Sequence, residues 1–165
     1  MCNSRRSIWL QATPVRWSRF MTAAENKETV RRIYEAMERG DRSVFGASVD
    51  PDYVWRFPGH HSWSGAFEGR ENIQRDLLKP LFGLFQSEYK GKAINLIAEG
   101  DFVVAEVRGD VMTKRGERYH NEYCYIFRFK DGKIVEVIEY CDSDHIERVL
   151  GSYEDAVAAA QQQAG

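Results

Sequence analysis

The chain has 165 residues, a formal net charge of −2, 43% hydrophobic residues and 13% aromatic residues. This length fits one domain with a sizeable core, and the charge argues against a nucleic-acid-binding surface, which requires a basic face. No apolar run approaches the roughly 18 residues of a membrane-spanning helix, so we expect neither nucleic acid nor membrane as a partner.

The three cysteines, Cys2, Cys124 and Cys141, lack the spacing of metal ligands, and their odd number argues against a disulfide framework. They favour a reducing, cytoplasmic location. The sequence contains no Gly-rich phosphate loop, no nucleophile elbow and no helical pair of histidines. We therefore predict that the protein uses no cofactor and binds no metal.

The ordered domain is predicted to span residues 22–151. Residues 1–21 carry four arginines and no acid, which indicates a flexible extension or, alternatively, a targeting segment. Thr22 and Glu25 have the spacing of a capping box at the start of a helix. Residues 152–165 are rich in Ala and Gln, which predicts a frayed, low-complexity tail.

Three helices are predicted before the main sheet. The spacing of apolar residues and the end signals place them at 22–40, 41–50 and 70–85. Pro80 should kink or split the third helix, because its ring clashes with the preceding turn. A further short helix is predicted at 143–150.

Strand-like alternation follows the helices. The predicted strands lie at 53–57, 88–98, 102–113, 118–129 and 134–141. The last four are separated by short turn signals, so we expect an antiparallel meander. Helices gathered on one face of a strongly bent sheet give an α+β fold.

The hairpin at 118–142 decides which side chains share a face. A three-residue turn with Gly132 in the left-handed conformation places Tyr123 opposite Glu139. A two-residue Asp-Gly turn shifts the register by one and turns Glu139 to the other face. We favour the three-residue turn, which puts Glu139 inside.

Local motifs accompany this order of elements: the Phe57-Pro58 strand end, the Phe67-Glu68-Gly69-Arg70 helix entry, and the pattern YxNxY…FRFKDGKIxExxEYxD. Over residues 23–151 the chain resembles the SnoaL-like and ketosteroid isomerase-like families of the nuclear transport factor 2-like superfamily. The resemblance implies a cone-shaped α+β barrel with three N-terminal helices on a strongly bent, mainly antiparallel sheet. It implies less about the reaction, because this fold hosts isomerases, cyclases, hydrolases, dehydratases and binding subunits.

The resemblance to ketosteroid isomerases is incomplete at the catalytic positions. Those enzymes place a base where this chain has Phe57 and an oxyanion-binding acid where it has Tyr125. Both carboxylates are missing, so steroid isomerisation is not expected. Tyr34 lies within one position of their helix-1 tyrosine.

Arg108, Asp110 and Glu139 resemble the Arg, Asp, Asp arrangement of limonene epoxide hydrolase-like members. Phenazine-biosynthesis members also place a working glutamate where Glu139 falls. By this resemblance Glu139 is the main acid or base, Asp110 its partner and Arg108 the residue that orients them. A two-residue turn before residue 118 brings Arg108 and Asp110 inside, whereas a three-residue turn puts them outside.

A second group of residues is predicted to bind the substrate. These residues are aromatic or carry hydrogen-bonding groups, which suits a flat, oxygenated ligand in an apolar pocket. They are Tyr34, Trp55, Phe57, His60, Trp63, Asn121, Tyr123 and Tyr125. For His60, the competing interpretation is an exposed loop histidine.

The favoured hypothesis is a cofactor-independent acid–base enzyme (an isomerase, cyclase, dehydratase or epoxide hydrolase) acting on a small hydrophobic cyclic oxygenated molecule in the cone. The alternative is a non-catalytic ligand-binding or dimerisation module of the same fold. We also expect a homodimer through the outer sheet face, where Ile126, Ile138 and Tyr140 lie. A buried carboxyl with a raised pKa beside an open cavity favours the enzyme.

Overall fold

The computed structural model describes residues 21–162. Its helices are α1 (Ala23–Met37), α2 (Ser43–Ser48), α3 (Arg70–Asn72), α4 (Lys79–Gly83), α5 (Ser143–Leu150) and α6 (Tyr153–Gln162), and a π-helical segment (Ile73–Leu78) joins α3 to α4. Its strands are β1 (Val49–Phe57), β2 (Gly65–Glu68), β3 (Lys90–Glu99), β4 (Phe102–Met112), β5 (Arg118–Lys130) and β6 (Lys133–Cys141). None of the helices in this part of the chain is long and apolar enough to cross a membrane. The extension predicted for 1–21 lies outside the described residues, except for Met21.

The six strands form one sheet in the order β2-β1-β6-β5-β4-β3. β1 is parallel to β6, and all other neighbouring strands are antiparallel. The sheet curls without closing, which leaves β2 and β3 as its edges. The predicted α+β fold, with helices packed on a strongly bent and mainly antiparallel sheet, is confirmed.

Helix α1 packs against β3 and β4. Its start is the predicted capping box: Thr22 Oγ1 accepts from the Glu25 N–H at 3.2 Å, and Glu25 Oε2 accepts from the Thr22 N–H at 2.8 Å. Val30, Ile33 and Tyr34 are buried along one face of the helix. This face brings the Tyr34 ring to 6.2 Å from the Tyr125 ring on β5.

The turn between β5 and β6 differs from the prediction. Lys130 pairs with Lys133, so the loop has two residues, Asp131 and Gly132. Both have positive φ, 50° and 77°, as a type I′ hairpin requires. The predicted three-residue turn is therefore wrong.

A shorter turn alone would place Glu139 on the outer face of the sheet, but a β-bulge in β6 returns it to the inner face. Ile134 and Glu136 pair with adjacent residues of β5, which leaves Val135 as an extra residue on β6. One extra residue reverses the alternation once more. Glu139 therefore lies on the inner face, as predicted, and its partner is Tyr125 instead of Tyr123.

Pro80 disturbs the third helix, as predicted. Proline lacks the N–H that would bond the Asp76 carbonyl four residues earlier. The chain widens into the π-helical segment just before this position. The Tyr153 hydroxyl of α6 donates to the freed Asp76 carbonyl at 2.8 Å.

The frayed tail predicted for residues 152–165 is wrong where the structure describes it, because 153–162 form α6. Ser152 Oγ accepts from the Asp155 N–H at 3.1 Å and caps this helix. The Tyr153 ring packs edge-on against Trp63 at 5.4 Å. The buried Ala156 and the Tyr153 ring thus hold the helix in place despite its low-complexity composition. Strand β2, in the predicted loop at 59–69, was also missed.

Gly109→Ala is expected to destabilise the protein by about 1–3 kcal/mol. Gly109 pairs with Gly91, and the Tyr89 phenol passes over both, so a Cβ at 109 would lie 2.6 Å from Tyr89 Cζ. Gly83→Ala is the control, because its methyl group has no atom of residues 21–162 within 4 Å apart from its chain neighbours and its own helix backbone. Urea unfolding of both variants measures the difference, and a Gly109→Ala protein as stable as Gly83→Ala would contradict this close approach.

Candidate active site

Glu139 is a buried carboxyl on the inner face of the sheet, with 7% of its surface exposed. It is paired with Tyr125 of β5. On the other side, the parallel β1 places Trp55 beside Val137. The Trp55 Nε1–H donates to Glu139 Oε2 at 2.9 Å. The carboxyl is therefore held between aromatic residues of β1 and β5.

Burial raises the pKa of Glu139 to about 8 from its ordinary value of 4.5. Desolvation of the carboxylate is the main cause, because an apolar surrounding disfavours the charged form. Hydrogen bonds from the Trp55 and Tyr125 side chains favour the charged form and offset part of this rise. At pH 7 the carboxyl is mostly protonated, so it is an acid that can release and regain a proton near neutrality.

An inner cavity of about 60 Å³ lies beside Glu139. Its wall is almost entirely apolar and aromatic, and Glu139 is the carboxyl that lines it. The aromatic residues around the carboxyl include Trp55, Phe57, Trp63, Tyr89, Tyr123 and Tyr125. This volume admits water or one small group of a ligand, and the body of a cyclic ligand needs more room.

An outer cavity of about 490 Å³ adjoins the inner one. It lies among α1, α2, the π-helical segment, α4 and the sheet. The residues that line both cavities are Met37, Trp55, Leu78, Phe82 and Tyr125. Its size is that of a small-molecule site. A ring system in the outer cavity can therefore present one polar group to Glu139 across this shared wall.

The phenols around the inner cavity are neutral hydrogen-bonding groups. Tyr123 Oη lies 2.9 Å from Tyr119 Oη, and Asn121 Nδ2 donates to Tyr119 Oη at 3.1 Å. Burial raises the pKa of Tyr34, Tyr123 and Tyr125 well above the ordinary value. Near neutral pH these side chains therefore keep their protons, and the Tyr123 hydroxyl donates to Tyr119 Oη.

Arg108 and Asp110 are not part of this site. The turn at 114–116 has three residues, since the Thr113 N–H donates to the Glu117 carbonyl. With an odd number of turn residues, Arg108 pairs with Glu122 and Asp110 pairs with His120, so both lie on the outer face.

There each is in a surface ion pair: Arg108 Nε lies 3.0 Å from Glu122 Oε1, and Arg118 holds Asp110 at 2.8 and 2.9 Å. The Arg118 hydrogen bonds lower the pKa of Asp110. The prediction that these two residues assist Glu139 is wrong.

Two of the predicted substrate-binding residues also lie elsewhere. His60 is exposed in the loop after β1 and lines neither cavity. Asn121 is buried but structural: its amide accepts from the Asp142 N–H and donates to the Asp142 carbonyl, both at 3.1 Å. Within residues 21–162 no group of three His, Cys, Asp or Glu side chains has the geometry of a metal site.

The remaining predicted binding residues do line the cavities: Tyr34, Trp55, Phe57, Trp63, Tyr123 and Tyr125. Sequence reasoning missed Tyr89, which enters the inner cavity over the Gly91–Gly109 pair. The available signal was Gly91, two residues later: in a strand it lies on the same face as Tyr89 and has no side chain. It also missed Arg42, because α2 and its flanking loop gave no indication that they border a cavity.

The amino-acid sequence of residues 30–137, well over half of the chain, matches the family model described as the SnoaL-like domain. The chain belongs to the SnoaL-like domain family. The resemblance stated from sequence motifs is thus confirmed. Glu139 lies just beyond the matched residues of the domain. No curated protein matches the sequence.

Solved structures share the fold of this SnoaL-like domain. Bal32a from a soil-derived mobile gene cassette is 26% identical with a TM-score of 0.67, covering 77% of this chain and 97% of its own. A candidate isomerase from Bacillus subtilis is 23% identical with a TM-score of 0.65, covering 80% and 98%. A candidate SnoaL-like polyketide cyclase from Jannaschia sp. CCS1 is 21% identical with a TM-score of 0.64, covering 78% and 93%.

Proposed function

We propose that this SnoaL-like protein is a cofactor-independent acid–base enzyme acting on a small, hydrophobic, cyclic oxygenated molecule. The observation that carries the proposal is Glu139, a buried carboxyl with a pKa raised to about 8, held by Trp55 at the boundary of two aromatic cavities. Carboxyls with pKa values near the working pH are efficient proton donors and acceptors. The isomerase and cyclase named among the structural neighbours use the same fold.

The substrate's rings lie in the outer cavity, and one oxygen reaches Glu139 past Trp55 and Tyr125. Glu139 transfers its proton to that oxygen, a carbonyl, hydroxyl or epoxide oxygen, as negative charge develops there. The carboxylate that forms keeps the Trp55 N–H as a hydrogen-bond donor. It then removes a proton from the reacting molecule, so Glu139 ends the cycle protonated.

A turnover screen tests the proposal. The panel contains three classes of ring compound: an enone, an epoxide and a β-hydroxy ketone, which report isomerisation, ring opening and dehydration. Any conversion by the wild-type protein is compared with Glu139→Gln, which keeps the size of the side chain and removes its acid. Glu106→Gln is the matched control, since Glu106 is exposed on the outer face. Equal conversion by all three proteins would refute the role of Glu139.

The alternative function, a dimerisation module, is favoured by a different surface. An apolar row crosses the outer face of four strands, where each residue is paired with the next: Ile97, Val104, Ile126 and Ile138. Ile97 is 60% exposed. We propose that this row forms an isologous homodimer interface, whether or not the cavity is catalytic.

Ile126→Glu is expected to convert the dimer into a monomer, because it places a charge in the middle of the row. Sedimentation velocity at several protein concentrations measures the change. Ile94→Glu is the control, since Ile94 is 44% exposed but lies outside the row, in a groove beside α1. A wild-type protein that sediments as a monomer at all concentrations would contradict the interface.

A further inference from the structure

The outer cavity has an apolar wall and a charged rim. Its wall includes Phe45, Trp55 and Phe82. Among residues 21–162, two charged residues line it, both cations: Arg42 just before α2 and Lys79 at the start of α4. Both are exposed to solvent as well as to the cavity. The cavity therefore has positive charge at its entrance.

These two cations are available to a ligand. Neither forms an ion pair with another residue in the range 21–162. The Arg42 guanidinium carbon lies 4.1 Å from the centroid of the Phe82 ring, a cation–π contact that holds the charge over the apolar wall. A planar guanidinium that stacks on a ring can still donate its N–H groups to a carboxylate.

At the other end of the site, none of the residues in the range 21–162 that line the inner cavity is a cation. Glu139 is surrounded by aromatic side chains, and the nearby phenols of Tyr34 and Tyr125 keep their protons because burial raises their pKa. An anionic group placed there would lose its hydration without gaining a cation. The two ends of the site thus differ: the rim of the outer cavity favours an anionic group, and the inner cavity at Glu139 favours a neutral oxygen.

We propose that the substrate is an amphipathic anion, a carboxylate attached to a hydrophobic ring system. Its rings pack on Phe82 and Trp55, its carboxylate lies between Arg42 and Lys79, and its neutral oxygen faces Glu139. This inference rests on the function proposed above, because it uses Glu139 to define which end reacts. It adds the charge of the substrate and the direction in which it binds.

A matched pair of probes tests the charge. 2-Naphthoate and 2-naphthol have the same rings, and at pH 7 the first is an anion and the second is neutral. Isothermal titration calorimetry in low salt is expected to give a Kd for naphthoate at least about tenfold lower than for naphthol. Added salt at 0.5 M should weaken naphthoate binding and leave naphthol binding nearly unchanged.

Variants test whether Arg42 and Lys79 cause the preference for naphthoate. Arg42→Gln combined with Lys79→Gln should remove the preference for naphthoate while naphthol binds as before. Arg39→Gln combined with Lys92→Gln makes the same change in net charge at exposed positions outside the outer cavity, and the preference should persist. Circular dichroism of each variant establishes that it is folded.

The inference is overturned if wild-type protein binds both probes equally, binds neither, or keeps its preference without Arg42 and Lys79. Glu139→Gln separates this failure from that of the proposed function. If Glu139→Gln abolishes turnover while the two probes bind equally, Glu139 is the acid but the proposal of an anionic substrate is wrong. If Glu139→Gln keeps turnover but the preference for naphthoate depends on Arg42 and Lys79, the cavity binds anions and the proposed role of Glu139 is wrong.

Discussion

Glu139→Gln is expected to lower the turnover of any substrate that the wild-type protein converts by about 10²–10⁴-fold. Glutamine has the same shape, and its carbonyl can still accept the Trp55 N–H that lies 2.9 Å from Glu139 Oε2. What it lacks is a transferable proton. Substrate binding should therefore change little, so the loss appears in kcat and not in KM.

The pH dependence distinguishes an acid from a mere binding group. Because the pKa of Glu139 is raised to about 8, the protonated acid is abundant at pH 7 and is lost as the pH rises through about 8. The wild-type rate should follow this loss and fall tenfold for each further pH unit. Glu106→Gln should keep both rate and profile. A rate that stays level from pH 7 to 9.5 would show that Glu139 is not the proton donor.

The second large effect is on stability. In the unfolded chain Glu139 ionises near 4.5, whereas in the folded protein its pKa is about 8. The folded state holds this proton more tightly, so its contribution to stability is fully present below about pH 4.5 and is lost as the pH rises to about 8. The difference corresponds to a loss on the order of 5 kcal/mol in the free energy of unfolding.

Glu139→Gln removes this dependence, since glutamine does not titrate. We expect the variant to gain stability relative to wild type as the pH is raised from 4.5 to 8.5, by several kcal/mol in total. Chemical denaturation of both proteins at a series of pH values measures the gain. Glu106→Gln, on the outer face, should differ from wild type by a nearly constant amount. A constant difference for Glu139→Gln as well would mean that its carboxyl is solvated.

The hairpin illustrates how far local patterns reach. The alternation along β5 and β6 predicted two faces, and Glu139 does lie on the inner one. The turn, however, has two residues, and a bulge at Val135 supplies the missing one. Two departures from the prediction cancel, because alternation depends only on whether the number of intervening residues is odd or even. The burial of the inner apolar face selects that parity.

The pair Arg108 and Asp110 shows where local patterns fail. Their face depended on one residue in the turn at 114–116, and both turn lengths were compatible with the sequence. The turn has three residues, so both side chains lie on the outer face, where Arg108 pairs with Glu122 and Asp110 pairs with Arg118. A motif in which three residues resemble a catalytic set thus has no meaning until the register of the two strands is known.

By itself the sequence determined the α+β fold and the order of helices and strands apart from β2 and α6, since these follow from periodicity and end signals within short segments. It also predicted the inner position of Glu139, but from a turn length that the structure corrects. Only the tertiary structure decided which strands meet. The parallel contact of β1 with β6 brings Trp55 to Glu139 across 84 positions of the chain. Helix α6, the two cavities and the cations at the rim depend on the same long-range packing, because burial and desolvation belong to the surroundings of a residue and not to its neighbours in sequence.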